Sequence, residues 1–140
     1  AHFSVLKILM PEHIIDHGKA TDHACELILN NFVTRLGLTV GRMLASLFPQ
    51  KPEFHGRQVA TFHCQRDFIF FRHHSYIFDE VDEEKRKAGA APVTARLQEL
   101  GPRFTLKLKT LRLGALDEIH SDFLFVLKKD IITSRRRYFL

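Results

Sequence analysis

The sequence predicts a layered fold of the α/β or α+β class, in which strands are mixed with at least one strong helix. Hydrophobic residues make up 45% of the 140 residues, which is enough for the core of one domain of ordinary size. The 13 Phe residues favour a sheet-rich core, because aromatic side chains pack well on pleated surfaces. One stretch, from about Arg35 to Leu47, has apolar residues at helical spacing.

The segment before the helix is expected to hold two strands separated by a loop. Residues 2–9 combine β-branched and aromatic side chains and stop before Pro11, so they predict a strand. Residues 11–25 are polar and predict a loop. Residues 26–29 are a short extended candidate.

The helix has one apolar face and two glycines. Pro49 marks its end. Gly37 and Gly41 lower its intrinsic propensity, so packing has to hold it, and they permit close approach of another backbone. The apolar face consists of Val40, Met43, Leu44, Leu47 and Phe48.

Two strands are predicted after the helix. They are residues 58–63 and 68–78, joined by a turn at residues 64–67. In that turn we expect a salt link between Arg66 and Asp67. The second strand begins Phe-Ile-Phe-Phe, which is apolar on both faces and predicts a central strand covered on both sides.

The last part of the chain contains a charged segment and a final strand candidate. Residues 79–96 begin with acids, continue with bases and end in Ala, Gly and Pro, which is typical of a solvated insert with little order. Residues 122–127 are the last strand candidate.

Residues 99–114 alternate apolar and basic side chains and predict a strand with one basic face. The phase slips at Thr110-Leu111, where a bulge or bend is expected. The basic face is either a solvated edge protected by Lys or a surface for an anion, such as successive phosphates of an extended RNA strand. Phe104, Leu106 and Leu108 fall on one face, and Arg103, Thr105, Lys107 and Lys109 on the other.

The positive charge is concentrated at the end of the chain. Residues 1–100 hold 12 Lys and Arg and 12 Asp and Glu, whereas residues 101–140 hold 9 and 4, so the whole net charge of +5 lies there. Nucleic acid is the commonest partner of such charge, with an acidic membrane surface or an acidic protein as alternatives. Arg135–Arg137 suit RNA phosphates or a nuclear address, and we expect Tyr138 or Phe139 to stack on a base or dock in a partner's groove.

The sequence predicts no metal site, no cofactor and no enzymatic activity. The two cysteines, Cys25 and Cys64, form neither a disulfide framework nor a paired zinc motif. Nucleophile-elbow, phosphate-loop and His-Glu-x-x-His motifs are absent. The longest apolar run, Phe123–Leu127, is too short to span a bilayer, and no membrane partner is expected.

Four blocks of the sequence resemble the Brix-domain proteins of ribosome assembly. They are LILNNFVTRLGLTVGRMLASLFP (27–49), GRQVATFHCQRDFIFFRHHSYIF (56–78), ELGPRFTLKL (99–108) and TSRRRYFL (133–140). In this family the ELGPRF stretch is compared with a sigma-factor-like RNA-binding segment. The resemblance implies that the domain has two similar α/β halves, each resembling the anticodon-binding domain of some tRNA synthetases, with a mixed sheet and packed helices.

The resemblance also implies a domain division and a function. Residues 1–114 would be the C-terminal half of the Brix domain, lacking its N-terminal half, and residues 115–140 a C-terminal extension with a basic tail. We expect a non-catalytic factor that binds ribosomal RNA precursor and other large-subunit assembly factors in the nucleus and nucleolus; the alternative is a protein–protein scaffold whose basic face meets acidic partners. The expected RNA-binding residues are Arg66, Arg103, Lys107, Lys109, Arg112, Lys128, Lys129, Arg135, Arg136 and Arg137.

Overall fold

A computed structural model describes residues 1–80, 93–114, 122–128 and 138–140. These residues form one mixed sheet of seven strands and one α-helix, which agrees with the α+β prediction. Several packed helices were expected, but the described residues contain a single α-helix and two short 3-10 turns, at Pro11–His13 and Phe54–Gly56. No helix in these ranges is long and apolar enough to cross a membrane. The strands are β1 His2–Leu9, β2 Glu26–Asn30, β3 Gln58–Gln65, β4 Phe68–Glu80, β5 Val93–Glu99, β6 Arg103–Arg112 and β7 Phe123–Val126, and the helix is α1 Arg35–Ala45.

The sheet has the order β1-β6-β4-β3-β2, with β5 and β7 added beside β4 and β6. Among the strand pairs of the described residues, only β2–β3 is parallel. The long strand β4 pairs with β6 along its first residues and with β5 along its last ones. The prediction that β4 is a central strand is therefore confirmed.

Helix α1 lies where the sequence predicts it and covers one face of the sheet. The Thr34 hydroxyl caps it by accepting the N–H of Gly37 at 2.9 Å. The helix ends at Ala45, two residues before the predicted end. Val40 and Leu44 are buried against the sheet, as expected of an amphipathic helix.

The core lies between α1 and this face of the sheet. The rings of Phe62, Phe71 and Phe104 run across three neighbouring strands, with centroid separations of 4.9 Å and 4.5 Å. Phe48 meets Phe62 edge to face at 5.8 Å. The buried cluster consists of Phe32, Val40, Leu44, Ala60, Phe62, Cys64, Ile69, Phe71, Leu108, Leu111 and Leu140.

The last residues of the chain pack into this core. Leu140 is buried, and the Phe139 ring lies 5.5 Å from that of Phe125. The Thr34 hydroxyl donates to the carbonyl of Phe139 at 2.5 Å. The ring of Phe139 thus packs within this chain, and the expectation that Tyr138 or Phe139 stacks on a base or docks in a partner's groove stays a prediction for Tyr138, which is exposed.

Gly37 confirms the expected close approach of another backbone to the helix. A Cβ placed on Gly37 would lie 2.8 Å from the carbonyl carbon of Leu140, nearer than real Cβ contacts allow. At Gly41 the nearest atoms belong to the side chains of Leu29 and Phe32, at 3.5 Å, which is ordinary contact. Only the first glycine is thus required by a neighbouring backbone.

Two boundary predictions need correction. Residues 79–80 end β4 and residues 93–96 begin β5, so the interpretation of 79–96 as an insert with little order is wrong at both ends; residues 81–92 lie outside the described part. The predicted four-residue turn at 64–67 is a two-residue turn, because Cys64 and Gln65 still belong to β3. Strand pairing outweighed the local polar composition at these points.

Candidate nucleic-acid interface

The sheet has a second face that points away from α1, which we call the open face. Side chains that pair across strands lie on the same face of a sheet. Since Ile69 and Phe71 of β4 belong to the core, the alternate residues Phe68, Phe70 and Arg72 point the other way. Within the described residues, the predicted cover on both sides of β4 is complete only on the α1 side, because Ile69 and Phe71 are buried whereas Phe68 and Phe70 are half-buried.

Three cross-strand rows make up the central part of the open face. They contain basic, aromatic and polar side chains, one aliphatic residue and no acidic residue. From edge to edge the rows are Ser4, Lys107, Phe68 and Gln65; Lys7, Thr105, Phe70, His63 and Asn30; and Arg72, Thr61 and Ile28.

A β-bulge keeps the basic residues of β6 on one face. His2 pairs with Thr110 and Phe3 with Leu108, so Lys109 is an extra residue in β6. Leu108 and Leu111 both belong to the core although they are three positions apart. The predicted phase slip is confirmed, and its irregularity lies at Lys109, one residue earlier than expected.

The bulge places Lys109 and Arg112 on the same side of the sheet as Lys107. The Lys107 ammonium lies 5.0 Å from the centroid of the Phe68 ring, and the Arg112 guanidinium 4.7 Å from that of Phe123. Neither cation is in an ion pair among the described residues. These contacts orient the charges, and no carboxylate of the described residues compensates them.

Arg103 differs from the other basic residues of β6 because its charge is already compensated. Its guanidinium holds the Glu99 carboxylate with two hydrogen bonds of 2.8 Å and 2.5 Å. The side chains of Arg103 and Glu99 are only 34% and 18% exposed. Such a bidentate, partly buried pair competes with phosphate, so Arg103 is the least available of the predicted phosphate ligands on this strand.

The turn between β3 and β4 holds Arg66 at one end of the open face. Arg66 is exposed, and both turn residues have positive φ, 54° at Arg66 and 65° at Asp67. The expected salt link between them is not formed. Instead, the Asp67 carboxylate accepts the backbone N–H groups of Phe139 and Leu140 at 2.6 Å and 3.0 Å.

The remaining predicted residues follow β7. The N–H of Leu127 bonds to the carbonyl of Lys109 at 2.8 Å, which places the exposed Lys128 one residue beyond the bulge. The structure thus groups Arg66, Lys107, Lys109, Arg112 and Lys128 around one end of β6. Lys129, Arg135, Arg136 and Arg137 lie outside the described residues.

Sequence reasoning missed Phe68, Phe70 and Arg72 as members of this surface. The alternation of side chains along a strand would have identified them, because all three stand at every second position of β4 and therefore lie on one face. Their run of apolar neighbours suggested burial on both sides instead.

The opposite end of the open face carries the acids. Tyr76 donates its hydroxyl hydrogen to the Glu26 carboxylate, and this bond raises the pKa of the tyrosine. His74 pairs with both Val59 and Glu99 across the sheet. Burial lowers the pKa of His74; the Glu99 charge opposes this shift, whereas Arg72, His73 and Arg103 add to it.

The described residues contain no group of three or more His, Cys, Asp or Glu side chains arranged to hold a metal ion. The cysteines also lie apart, with Cys64 buried in the core. Burial and the charge of Asp67 raise the pKa of the Cys64 thiol to about 11.

Comparison with known proteins identifies the family. The family model described as the Brix domain matches residues 1–110. The chain belongs to the Brix-domain family. This finding confirms the resemblance carried by the four sequence blocks.

Curated relatives are similar over almost the whole chain. Ribosome production factor 1 of Mus musculus is 49% identical over 142 residues, covering 100% of this chain and 38% of the relative. Probable ribosome production factor 1 of Drosophila melanogaster is 50% identical over 143 residues, covering 100% and 34%. A Brix domain-containing protein of Schizosaccharomyces pombe is 42% identical over 139 residues, covering 99% and 44%. This Brix-family chain therefore spans between about a third and somewhat under half of these relatives.

Proposed function

We propose that this Brix-family chain is part of a non-catalytic ribosome assembly factor that binds ribosomal RNA precursor during maturation of the large subunit. Membership of the family and similarity to proteins named ribosome production factor 1 support a role in ribosome production. The observation that carries RNA binding is the row of uncompensated basic residues along β6 on the open face. The proposed setting is the nucleus and nucleolus.

The proposal includes the domain organisation. Residues 1–114 would be the C-terminal half of the Brix domain, similar to an anticodon-binding domain, and residues 115–140 its extension. Proposed partners are the N-terminal half and other large-subunit assembly factors. Exposed apolar side chains on β1 support a protein contact there, since Val5, Leu6 and Ile8 are each more than half exposed.

The RNA contacts are proposed for phosphates rather than bases. Lys107 and the bulged Lys109 lie close together on one side of β6, which suits neighbouring phosphates of an extended strand. Arg66, Arg112 and Lys128 lie around them, and Lys129 with Arg135–Arg137 would add charge from the tail. Arg103 would contribute only where phosphate displaces Glu99.

The test is the salt dependence of RNA binding by Lys107→Ala/Lys109→Ala. Each lost phosphate contact lowers the slope of log affinity against log salt by roughly 0.7 to 0.9, so the double variant should lose about 1.5. Lys19→Ala/Lys51→Ala is the matched control, because it removes the same charge from exposed loop positions outside the open face. Equal slopes in parent and test variant would exclude phosphate contacts by this face.

The alternative function is a scaffold whose basic face meets acidic protein surfaces. It predicts that purified assembly factors bind without RNA and that the lysine double variant weakens this binding while RNA affinity is unchanged.

A further inference from the structure

We propose that Phe68 and Phe70 form a stacking platform for unpaired bases, so that the open face takes single-stranded rather than duplex RNA. This inference rests on the proposed RNA-binding function and names the class of RNA that the site selects.

The two phenylalanines differ from those of the core in what their rings contact. Among the described residues, neither Phe68 nor Phe70 packs against another aromatic ring, whereas Phe62, Phe71 and Phe104 stack on one another. Both are only partly buried, and neither belongs to the core cluster or packs against it. Two half-buried rings on a central strand therefore lie outside the core cluster and the ring stacks that account for Phe62, Phe71 and Phe104.

The surroundings of these rings are complementary to a nucleic acid. Phe68 pairs with Lys107, whose ammonium lies over its ring, and Phe70 pairs with His63 on one side and Thr105 on the other. The rows that contain them carry no acidic residue. A nucleic acid matches this combination, because its bases can stack on the aromatic rings while its phosphates meet the cations.

The spacing of the rings favours an extended, unpaired strand. Phe68 and Phe70 are two residues apart on one face, roughly 6.6 Å. Stacked bases of a helical strand lie only about 3.4 Å apart, and their faces are covered by their neighbours. Two splayed bases fit the platform, and a duplex offers no free base face to it.

An acidic protein segment is the competing occupant of this surface. The basic residues of the open face would attract an acidic segment as well as they attract RNA. Acidic side chains, however, have no aromatic surface that could stack on the rings of Phe68 and Phe70. The test therefore separates a polyanion with bases from polyanions without them.

Phe70→Trp provides a direct reporter, because the protein contains no other tryptophan. We expect single-stranded RNA to quench its fluorescence, while inorganic polyphosphate and a duplex of the same sequence leave the emission unchanged. Phe78→Trp is the matched control: Phe78 lies on the same face of β4, exposed and about 26 Å along the strand from Phe70, and should show no quenching.

Phe68→Leu and Phe70→Leu measure the contribution of the rings to affinity. Each should weaken single-stranded RNA binding about 5- to 100-fold without changing the salt slope or the affinity for polyphosphate. Phe70→Tyr keeps the ring and should bind like the parent, which excludes a mere folding defect. A circular dichroism melt confirms that each variant is folded.

The outcomes distinguish the platform from the proposed function beneath it. If both leucine variants bind RNA like the parent while Lys107→Ala/Lys109→Ala binds weakly, the platform is refuted and phosphate binding stands. If the lysine variant also binds like the parent, RNA binding by this face fails. If an acidic peptide, but not RNA, loses affinity in the leucine variants, the surface is a protein docking site and the platform is refuted.

Discussion

The substitution Gly37→Ala tests how the end of the chain is held against helix α1. An Ala in place of Gly inside a helix usually stabilises a protein by roughly 0.5–1 kcal/mol. Here the added Cβ would meet the carbonyl carbon of Leu140 at 2.8 Å and the capping hydroxyl of Thr34 at 3.2 Å. Because the first of these is backbone, the segment 138–140 has to move.

The cost of that movement follows from what the segment contributes. Burial of the Leu140 side chain is worth about 1.5–3 kcal/mol, and the hydrogen bond from Thr34 to Phe139 about 1 kcal/mol. Subtracting the gain in helix propensity leaves a net loss of about 2 kcal/mol. Amide exchange in the segment reports local undocking, in which the helix stays folded, so it should accelerate by the full docking loss of about 2.5 kcal/mol, roughly 60-fold, since 1.4 kcal/mol is a factor of ten.

The same helix supplies the control. Gly41→Ala places its Cβ at ordinary contact distance from side chains, so it should stabilise the protein by roughly 0.5–1 kcal/mol. Hydrogen exchange of the peptide covering residues 138–140 and a thermal melt measure both variants in the same protein. Parental exchange and stability in Gly37→Ala would refute the docking of Leu140 on the helix.

Three further predictions concern single side chains. Asp67→Ala removes the acceptor of two backbone N–H groups and should speed amide exchange at residues 138–140 about 100-fold, because hydrogen bonds to a charged group are worth about 1.5–3 kcal/mol. The control Asp79→Ala removes an exposed salt bridge and should leave the exchange of residues 138–140 unchanged. The lowered pKa of His74 means that the unfolded chain binds more protons below about pH 6.5, so stability should fall between pH 7 and pH 5.5, and fall less in His74→Gln by thermal melts. At pH 8 the thiol of Cys64, with its pKa of about 11, should react with iodoacetamide at least 100-fold more slowly than a free cysteine, and denaturant should abolish this protection. Unchanged exchange in Asp67→Ala, a pH profile identical in His74→Gln, or rapid alkylation of native Cys64 would contradict these three in turn.

The elements of the fold were largely predictable because their signals are local. The periodic apolar face of α1 and the alternation along β6 each specify an element from neighbouring residues. The end of β4 and the start of β5 were not predictable from the sequence. Residues 79–80 and 93–96 pair as strands although their own composition favours a loop. The docking of Leu140 against Gly37 was equally hidden, although the glycine itself indicated that some backbone approaches there.

The candidate site shows the same division between local and long-range information. The sequence shows that the basic residues of β6 alternate with apolar ones. It does not show that Glu99, four residues before Arg103, bends back to pair with Arg103 and neutralise its charge. The extra residue at Lys109 decides whether Arg112 faces the core or the open face, and a phase slip alone does not reveal which. Phe68 and Phe70 look like core residues in the sequence, and only the assembled sheet, with α1 on the opposite face, shows that they lie outside the core cluster. A surface that joins cations to half-buried rings is thus created by strand register, so a substitution that shifts the register at Lys109 should disrupt it without removing any of its charges.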